Sequence, residues 1–503
     1  MKSSLKPSPI SRRNFIGKSV AASAAFTIVP SYVVSGLGYV NPSDKLNIAG
    51  IGVGGIGLAN LKKLTSQNIV ALCDVDWKYA KGAFELFPKA KKYWDWRKLF
   101  DEAKDDFDAV VIATADHTHA IIAAHAMTLG KHVYLQKPLT HSVYESRLLT
   151  KLADQYKVAT QMGNQGASGA GVAETCEILW SGAIGEVTKV ESFTDRPIWP
   201  QGLNVPEKKD PVPDTLNWDL FTGPAKMKPF NEVYHPWNWR GWWDYGTGAL
   251  GDMACHVLHP VFEGLQLEYP TEVQASSSLL LTESAPVSEA VSFTFPARGK
   301  KGSLALSEVE VNWFDGGIKP ALPDNWPAGK DPNIYGGGTF FYGKDDILHT
   351  GCYGVQPTLL SGNQIKIPQT ERRVEKEMEL GWNEGAHEMD WVRACKENPE
   401  SRKACASDFA KAGPFNEIVV MGVNAVRLQG LNKILKWDGQ NMKFTNINPN
   451  EELKIVIKDG FEIHDGHPTF NKDWTEPMNA AAYAEELVKH TYREGWSLPD
   501  MPS

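Results

Sequence analysis

The stretch "LNIAGIGVGGIGLANLKKL", residues 46–64, constrains this chain more than any other. A β-branched apolar run enters a glycine-rich turn, and helical spacing follows at once. The turn holds Gly52, Gly54 and Gly57 in the spacing G-x-G-x-x-G, and a second apolar strand, "NIVALCDV", ends with Asp74, twenty residues after Gly54. Alone the glycine pattern is weak. Placed between a strand and a helix, with an acid closing the next strand, it is the context of a dinucleotide site. Gly52 permits the tight turn, Gly54 lets a pyrophosphate approach the backbone, and Gly57 lets helix and strand pack closely. The helix start at Gly55 and Ile56 offers backbone N–H groups and partial positive charge. Asp74 would accept hydrogen bonds from ribose hydroxyls and repel a 2′-phosphate, so NAD is expected and NADP is disfavoured.

Residues 45–165 continue in the same alternation. "FDAVVIATA" and "KHVYLQKP" read as further strands, helical patterns cover 118–129 and 142–156, and "KVATQMGNQ" closes the series. Continuous apolar strands between helices predict a parallel sheet covered on both faces. From residue 166 the character changes. A helix pattern, "GVAETCEILWSGAIGEV", leads to shorter alternating strands in "VTKVESFTD", "EVQASSSLLL", "EAVSFTFPA" and "GSLALSEVEVNWF". Alternation predicts half-buried antiparallel strands. Residues 196–245, rich in Pro and Trp, read as a long functional loop, with helices expected near 382–397 and at 413–432. The expected fold is α/β: a doubly wound Rossmann domain at 45–165 and an α/β domain with an open, largely antiparallel sheet at 166–445. An extension at 446–503 is expected to wrap over the surface.

A length of 503 residues exceeds one small core. The net charge of −8, with no basic stripe, argues against nucleic acid as a partner. Six scattered cysteines show no C-x-x-C, so a zinc ribbon or redox motif is unsupported, and no disulfide pairing is assigned although an exported protein could form one. The segment "SPISRRNFIGKSVAASAAFTIVP" pairs Arg12 and Arg13 ahead of a short apolar run and resembles a twin-arginine export signal. The run from Ser19 to Val29 is far below the ~20 residues that span a bilayer. Residues 1–40 are therefore expected to be a leader, the protein periplasmic and without a permanent membrane anchor. That route carries folded proteins, often with a cofactor already bound.

"GALGDMACHVLHP", residues 248–260, places Asp252 and His256 four apart and His259 three further on. On one helix face these could form a metal site, a base with its helper, or a set of satisfied structural groups. Pro260 disfavours helical backbone at His259, which weakens the metal reading, and no metal is expected. A neutral imidazole suits proton removal from an alcohol, and acid–base chemistry is the favoured reading.

"ATADHTHA" at 113–120, Gln136-Lys137-Pro138, and "GALGDMACH" at 248–256 together resemble the Gfo/Idh/MocA oxidoreductases over roughly residues 45–445. The resemblance implies that Lys137 lies near nicotinamide and substrate, and that Asp252 and His256 complete a catalytic set. Gln136 stands where the family's E-K-P motif has Glu, and Ala115 where its commoner motif has Pro. Besides the glycine loop, the expected cofactor-side residues are Thr114, Asp116, His119, Gln136, Lys137 and Asn164. "RPIWPQG" and "HPWNWRGWWDYGTG" supply the expected sugar-facing residues Trp199, Arg240, Trp242, Trp243 and Tyr245, with Trp237 and Trp239 beside them. The implied function is an NAD-dependent oxidoreductase acting on a ring hydroxyl, such as that on carbon 3, of a sugar or glycoside. The competing readings are an NAD-dependent glycosidase using a redox–elimination cycle and a sugar-binding protein with structural NAD. A homo-oligomer, dimer or tetramer, is expected.

Overall fold

The structure, a computed structural model, describes residues 44–363 and 374–502, so the expected leader lies outside the described residues. The chain divides into two units, Met1–Leu46 and Asn47–Ser503, and the architecture is that of the second.

Its first half is a parallel sheet of six strands: β1 (Asn47–Ile51), β2 (Asn68–Cys73), β3 (Lys91–Tyr93), β4 (Ala109–Ile112), β5 (His132–Leu135) and β6 (Thr160–Met162), in the order β3-β2-β1-β4-β5-β6. All of β4 is buried, as a strand covered on both faces must be. β3 was not expected. Its "KKY" carries no apolar run, and its place is set by pairing with β2 at the sheet edge. The covering helices include α1 (Gly55–Lys63), α2 (Lys81–Leu86), α3 (Trp96–Ala103), α4 (Asp116–Thr128) and α5 (Val143–Tyr156). The start of α5 is local chemistry: Ser142 and Glu145 form a reciprocal capping box.

The second half begins with α6 (Ala170–Trp180) and β7 (Val187–Thr194). After the long loop, interrupted by α7 (Trp218–Thr222), come α8 (Gly248–Val257) and α9 (His259–Gly264). The sheet is completed by β8 (Glu272–Ser277), β9 (Glu289–Phe295), a small ribbon β10 (Gly299–Lys301) and β11 (Leu304–Leu306), then β12 (Val309–Phe314), β13 (Gly337–Gly343), β14 (Ile347–Gly351) and β15 (Thr358–Leu359). With β16 (Leu435–Asp438) and β17 (Lys443–Phe444) it makes a nine-stranded sheet ordered β15-β14-β13-β7-β12-β9-β8-β16-β17. Every neighbouring pair is antiparallel except β7 and β12. β9 reads buried–half-buried in strict alternation, the signature of one covered face.

Two later segments, one short helix and one long, differ from expectation. A short helix α10 (Val374–Met378) leads to α11 (His387–Lys396), entered through a π-helical turn at Trp382–Ala386. The long helix α12 spans Phe409–Arg427, starting earlier than Pro414 suggests, because Asp408 caps it by accepting from the Lys411 N–H. Both α11 and α12 return to the first sheet: Asn416 accepts from the Leu139 N–H, Arg147 pairs with Glu417 at 2.7 Å, and Trp391 donates to the Ala159 carbonyl. The stretch 166–445 therefore does not stay with the second sheet alone. Beyond 446, short β18 (Glu452–Leu453), a hairpin of β19 (Val456–His464) and β20 (His467–Trp474), β21 (Met478–Asn479) and α13 (Ala480–Val488) follow. The tail then lies along the first domain, with the Tyr492 hydroxyl donating to Glu145 at 2.6 Å.

Candidate active site

The C-terminal ends of the parallel strands open into a cleft of about 410 Å³, walled on one side by the glycine turn and on the other by α8 and the long loop. This is where an open α/β sheet binds its ligands.

On the glycine side, Gly52 has φ +74, and a Cβ there would lie 2.7 Å from the Ala113 backbone; a Cβ on Gly57 would lie 1.9 Å from the Gly52 carbonyl oxygen. The turn is thus drawn as tightly as backbone permits. Gly54, Gly55 and Ile56 line the cleft at the start of α1, and Tyr79 lies across Gly54 and Gly55. Asp74 also lines it. Its carboxylate accepts from the N–H groups of Val53 (2.8 Å), Gly54 (3.2 Å) and Asp76 (2.9 Å). Burial pushes its pKa up to about 6 despite these bonds. The glycine cradle, the helix start and this carboxylate suit a dinucleotide. Asp76, two residues on, is buried and bonded to His235 at 3.0 Å.

On the opposite wall, α8 presents Asp252 and His256. Lys137, just past the end of β5, places Nζ 2.6 Å from Asp252 Oδ1 and 3.1 Å from the Asp252 carbonyl oxygen; Arg240 Nε reaches the same Oδ1 at 3.1 Å. Burial opposes the charge on Asp252, but the two cations prevail and hold its pKa well below the usual range. His256 is buried and lines the cleft, and among the described residues its Nδ1 has no hydrogen-bond partner. Burial first, then the charge of Lys137, lowers its pKa well below 6.5, so the ring is neutral at neutral pH.

His259 does not converge with these two. Its Nδ1 faces the Asn164 amide at 3.2 Å and its Nε2 lies 3.4 Å from Glu263, which Lys411 pairs at 2.7 Å. Among the described residues, no group of three or more His, Cys, Asp or Glu is placed to hold a metal ion.

Of the other expected cofactor-side residues, Thr114 and Gln136 line the cleft. Asp116, His119 and Asn164 stand behind its wall. Asp116 accepts from the Thr247 hydroxyl at 2.8 Å, and its pKa is pushed up to about 7 by burial. His119 bridges the carbonyls of Pro138 and Thr114, at 2.8 and 3.1 Å. Asn164 donates to the Cys255 carbonyl at 3.2 Å and so ties the first domain to α8.

The aromatic loop divides likewise. Trp199, Trp237, Trp239 and Arg240 line the cleft, and the Arg240 guanidinium lies 4.3 Å from the Trp239 ring centre. Trp242, Trp243 and Tyr245 do not reach it, contrary to expectation. Trp242 and Tyr245 pack with Tyr234 and Trp218 in a buried aromatic cluster, and Trp243 joins the main core. Their burial satisfies large apolar area that a loop over polar backbone would otherwise expose. Tyr353 was missed altogether. It sits at φ 66 in a turn after β14, with its ring 4.7 Å from that of His256. No sequence signal marks a tyrosine in left-handed backbone.

Residues 46–164 match the family model described as "Oxidoreductase family, NAD-binding Rossmann fold", and residues 175–295 match the "Oxidoreductase family, C-terminal alpha/beta domain". Inositol 2-dehydrogenase of Salmonella paratyphi B is 28% identical over 142 residues, 27% of this chain and 42% of that protein. Levoglucosan dehydrogenase of Pseudarthrobacter phenanthrenivorans is 27% identical over 33% of this chain and 34% of its own length. Glycosyl hydrolase family 109 protein 2 of Phocaeicola vulgatus is 28% identical over 30% and 38%. The chain thus spans less than half the length of these curated relatives. Among solved structures, the WlbA dehydrogenase of Bordetella pertussis in complex with NADH and UDP-GlcNAcA superposes with a TM-score of 0.53 at 14% identity, over 78% of this chain and 99% of that one. An inositol dehydrogenase homolog of Azotobacter vinelandii, complexed with NADH and myo-inositol, gives 0.51 at 16% identity over 78% and 98%. These two likenesses show the fold. With both domain models matched in order and the glycine cradle, Asp74 and Lys137 on one cleft, the chain belongs to the Gfo/Idh/MocA family of oxidoreductases, with an NAD-binding Rossmann domain at its start.

Proposed function

We propose that the protein oxidises a secondary ring hydroxyl of a sugar, glycoside or cyclic polyol, such as that on carbon 3, using NAD. The observation that carries this reading is His256, a buried imidazole that lines the cleft beside the Lys137–Asp252 pair and whose Nδ1 has no hydrogen-bond partner among the described residues. A buried polar atom without a partner is costly unless a ligand completes it. NAD, when bound, takes the two electrons and the hydrogen leaving the carbinol carbon. His256, neutral at neutral pH, accepts the hydroxyl proton, and a ketone results. Lys137 donates a hydrogen bond to the reacting oxygen as negative charge develops on it. Asp252, held ionised by two cations, fixes Lys137 in place rather than taking the proton. Trp237 and Trp239 offer rings to the apolar CH faces of the substrate, and Arg240 donates to a hydroxyl.

The names of the relatives support a polyhydroxylated substrate: inositol and levoglucosan dehydrogenases, and structures with myo-inositol or UDP-GlcNAcA. We further read Arg12 and Arg13 as a twin-arginine signal that delivers the folded, NAD-loaded protein to the periplasm, and the assembly as a homo-oligomer. In this reading 45–165 bind the cofactor, 166–445 the substrate, and 446–503 are an extension. The relatives named as glycosyl hydrolase family 109 proteins support a second reading, cleavage of a glycoside through transient oxidation of the same hydroxyl.

The test is to identify NAD released by denaturation, then to follow reduced-nicotinamide absorbance as sugars, polyols and nitrophenyl glycosides are added. Reduction by one class of polyhydroxylated compound supports oxidation. Nitrophenol release without net reduction supports the second reading. NAD bound but inert to every compound would overturn both.

A further inference from the structure

Behind the cleft, three side chains form a buried hydrogen-bonded row. Gln136 Nε2 donates to Asn60 Oδ1 at 2.8 Å, and Asn60 Nδ2 donates to Glu388 Oε1 at 2.8 Å. Asn60 lies on α1, Gln136 at the end of β5 and Glu388 on α11; Asn60 and Gln136 are almost fully buried and Glu388 completely so. Lys63 Nζ lies 3.2 Å from the same Glu388 oxygen, an ion-pair contact.

An ionised carboxylate accepts hydrogen bonds and donates none. Asn60 must therefore turn its NH₂ toward Glu388, which leaves its carbonyl for Gln136. Gln136 must in turn direct its NH₂ toward Asn60. Its own carbonyl then faces the other way, 3.3 Å from the Lys137 N–H at the cleft. Gly163 packs directly against this amide, since a Cβ there would lie 2.6 Å from Gln136 Nε2. The usually ambiguous direction of an amide is thus decided at one end of the row. A glutamate at position 136 would set a carboxylate against the Asn60 carbonyl, acceptor against acceptor in a buried place.

We propose that Glu388 is a positioning residue for the cofactor pocket: acting through Asn60, it orients the Gln136 amide with its carbonyl toward Lys137 and makes glutamine, rather than glutamate, the residue required at position 136. The negative charge then lies two side chains away from the cleft, and a neutral acceptor stands at its wall. The inference rests on the NAD-binding reading of that cleft.

The test is a double-mutant cycle on the full chain, stripped of nucleotide, reading the NAD dissociation constant by fluorescence titration and the thermal midpoint of the unliganded proteins. Gln136→Glu alone weakens NAD binding by about tenfold, and Glu388→Gln alone by about threefold to tenfold. Combined, they return to within about threefold of the parent. In the double variant the new amide at position 388 can donate to a reversed Asn60, whose NH₂ then donates to the new carboxylate at position 136. Multiplying effects in the double variant would overturn the proposal. Asn60→Ala, which leaves Glu388 with Lys63, gives a second arm: in that background Gln136→Glu changes NAD binding by less than about threefold. A persisting tenfold preference for glutamine there would also overturn it. Failure of the parent to bind NAD would count against the cofactor reading alone, since the midpoints report the coupling without nucleotide.

Discussion

Lys137 Nζ and Asp252 Oδ1 lie 2.6 Å apart although 115 residues separate them in sequence. One lies just past a strand of the parallel sheet; the other rides a helix of the second domain. Their pairing, both side chains largely buried, joins the two domains at the floor of the cleft. Lys137→Met should lower kcat/KM by about 10²–10³-fold, as loss of a donor to a developing oxyanion does. It should also destabilise the fold by up to about 3 kcal/mol, Arg240 remaining as a partial partner. Because Asp252 is held below its unfolded pKa, the stabilisation is present above about pH 4 and is lost as pH falls further. The difference in thermal midpoint between parent and variant should therefore be largest near neutrality and shrink in acid.

His256→Ala should reduce the single-turnover rate by about 10²–10⁴-fold while NAD binding stays within about threefold of the parent. Rapid mixing of the NAD-loaded protein with substrate checks the first part and titration of the stripped protein the second. A retained rate would remove His256 from the proposed role.

Asp74 carries a raised pKa of about 6. For an acid shifted upward, the stabilising contribution is full below its unfolded pKa near 4 and is lost as pH rises through 6. Ribose hydroxyls donate best to the ionised form, so NAD affinity should move the other way, tightening about tenfold from pH 5 to pH 7. Asp74→Asn should flatten that dependence. Titrations at several pH values decide it, and an equal slope in the variant would exclude Asp74 as the source.

Gly57→Ala would drive a Cβ to 1.9 Å from the Gly52 carbonyl oxygen, against backbone rather than a movable side chain. The turn must open, at a cost of about 1–3 kcal/mol or more. The expected outcome is a lower thermal midpoint together with loss of NAD binding. Normal binding at a normal midpoint would show that the turn has slack the packing does not suggest.

Two tryptophans of the same loop should behave differently. Trp242 is fully buried, and Trp242→Ala should destabilise by about 3–5 kcal/mol in denaturant unfolding. Trp237 is 39% exposed at the cleft, so Trp237→Ala should change stability by less than about 1 kcal/mol and raise the KM for the sugar. The opposite pattern would mean that the loop is packed differently.

The parallel sheet and its nucleotide turn were legible because their signals are local: apolar runs without alternation, glycines where a side chain cannot fit, and an acid at the next strand end. Asp252 and His256 were legible for the same reason, since helical spacing alone puts them on one face. Strand β3, with the sequence "KKY", carries no such signal and exists because β2 offers an edge. Which aromatics of the long loop meet the cleft, the pairing of Asp76 with His235, the approach of Tyr353 to His256, and the row from Gln136 to Glu388 depend on contacts between segments tens to hundreds of residues apart. Periodicity and the glycine motif by themselves determined the fold class, and the family resemblance supplied Lys137, Asp252 and His256 as cleft residues. Only the tertiary structure decided which of those side chains share a hydrogen bond or a charge, because burial and partner distance are properties of the packed chain and not of any one segment.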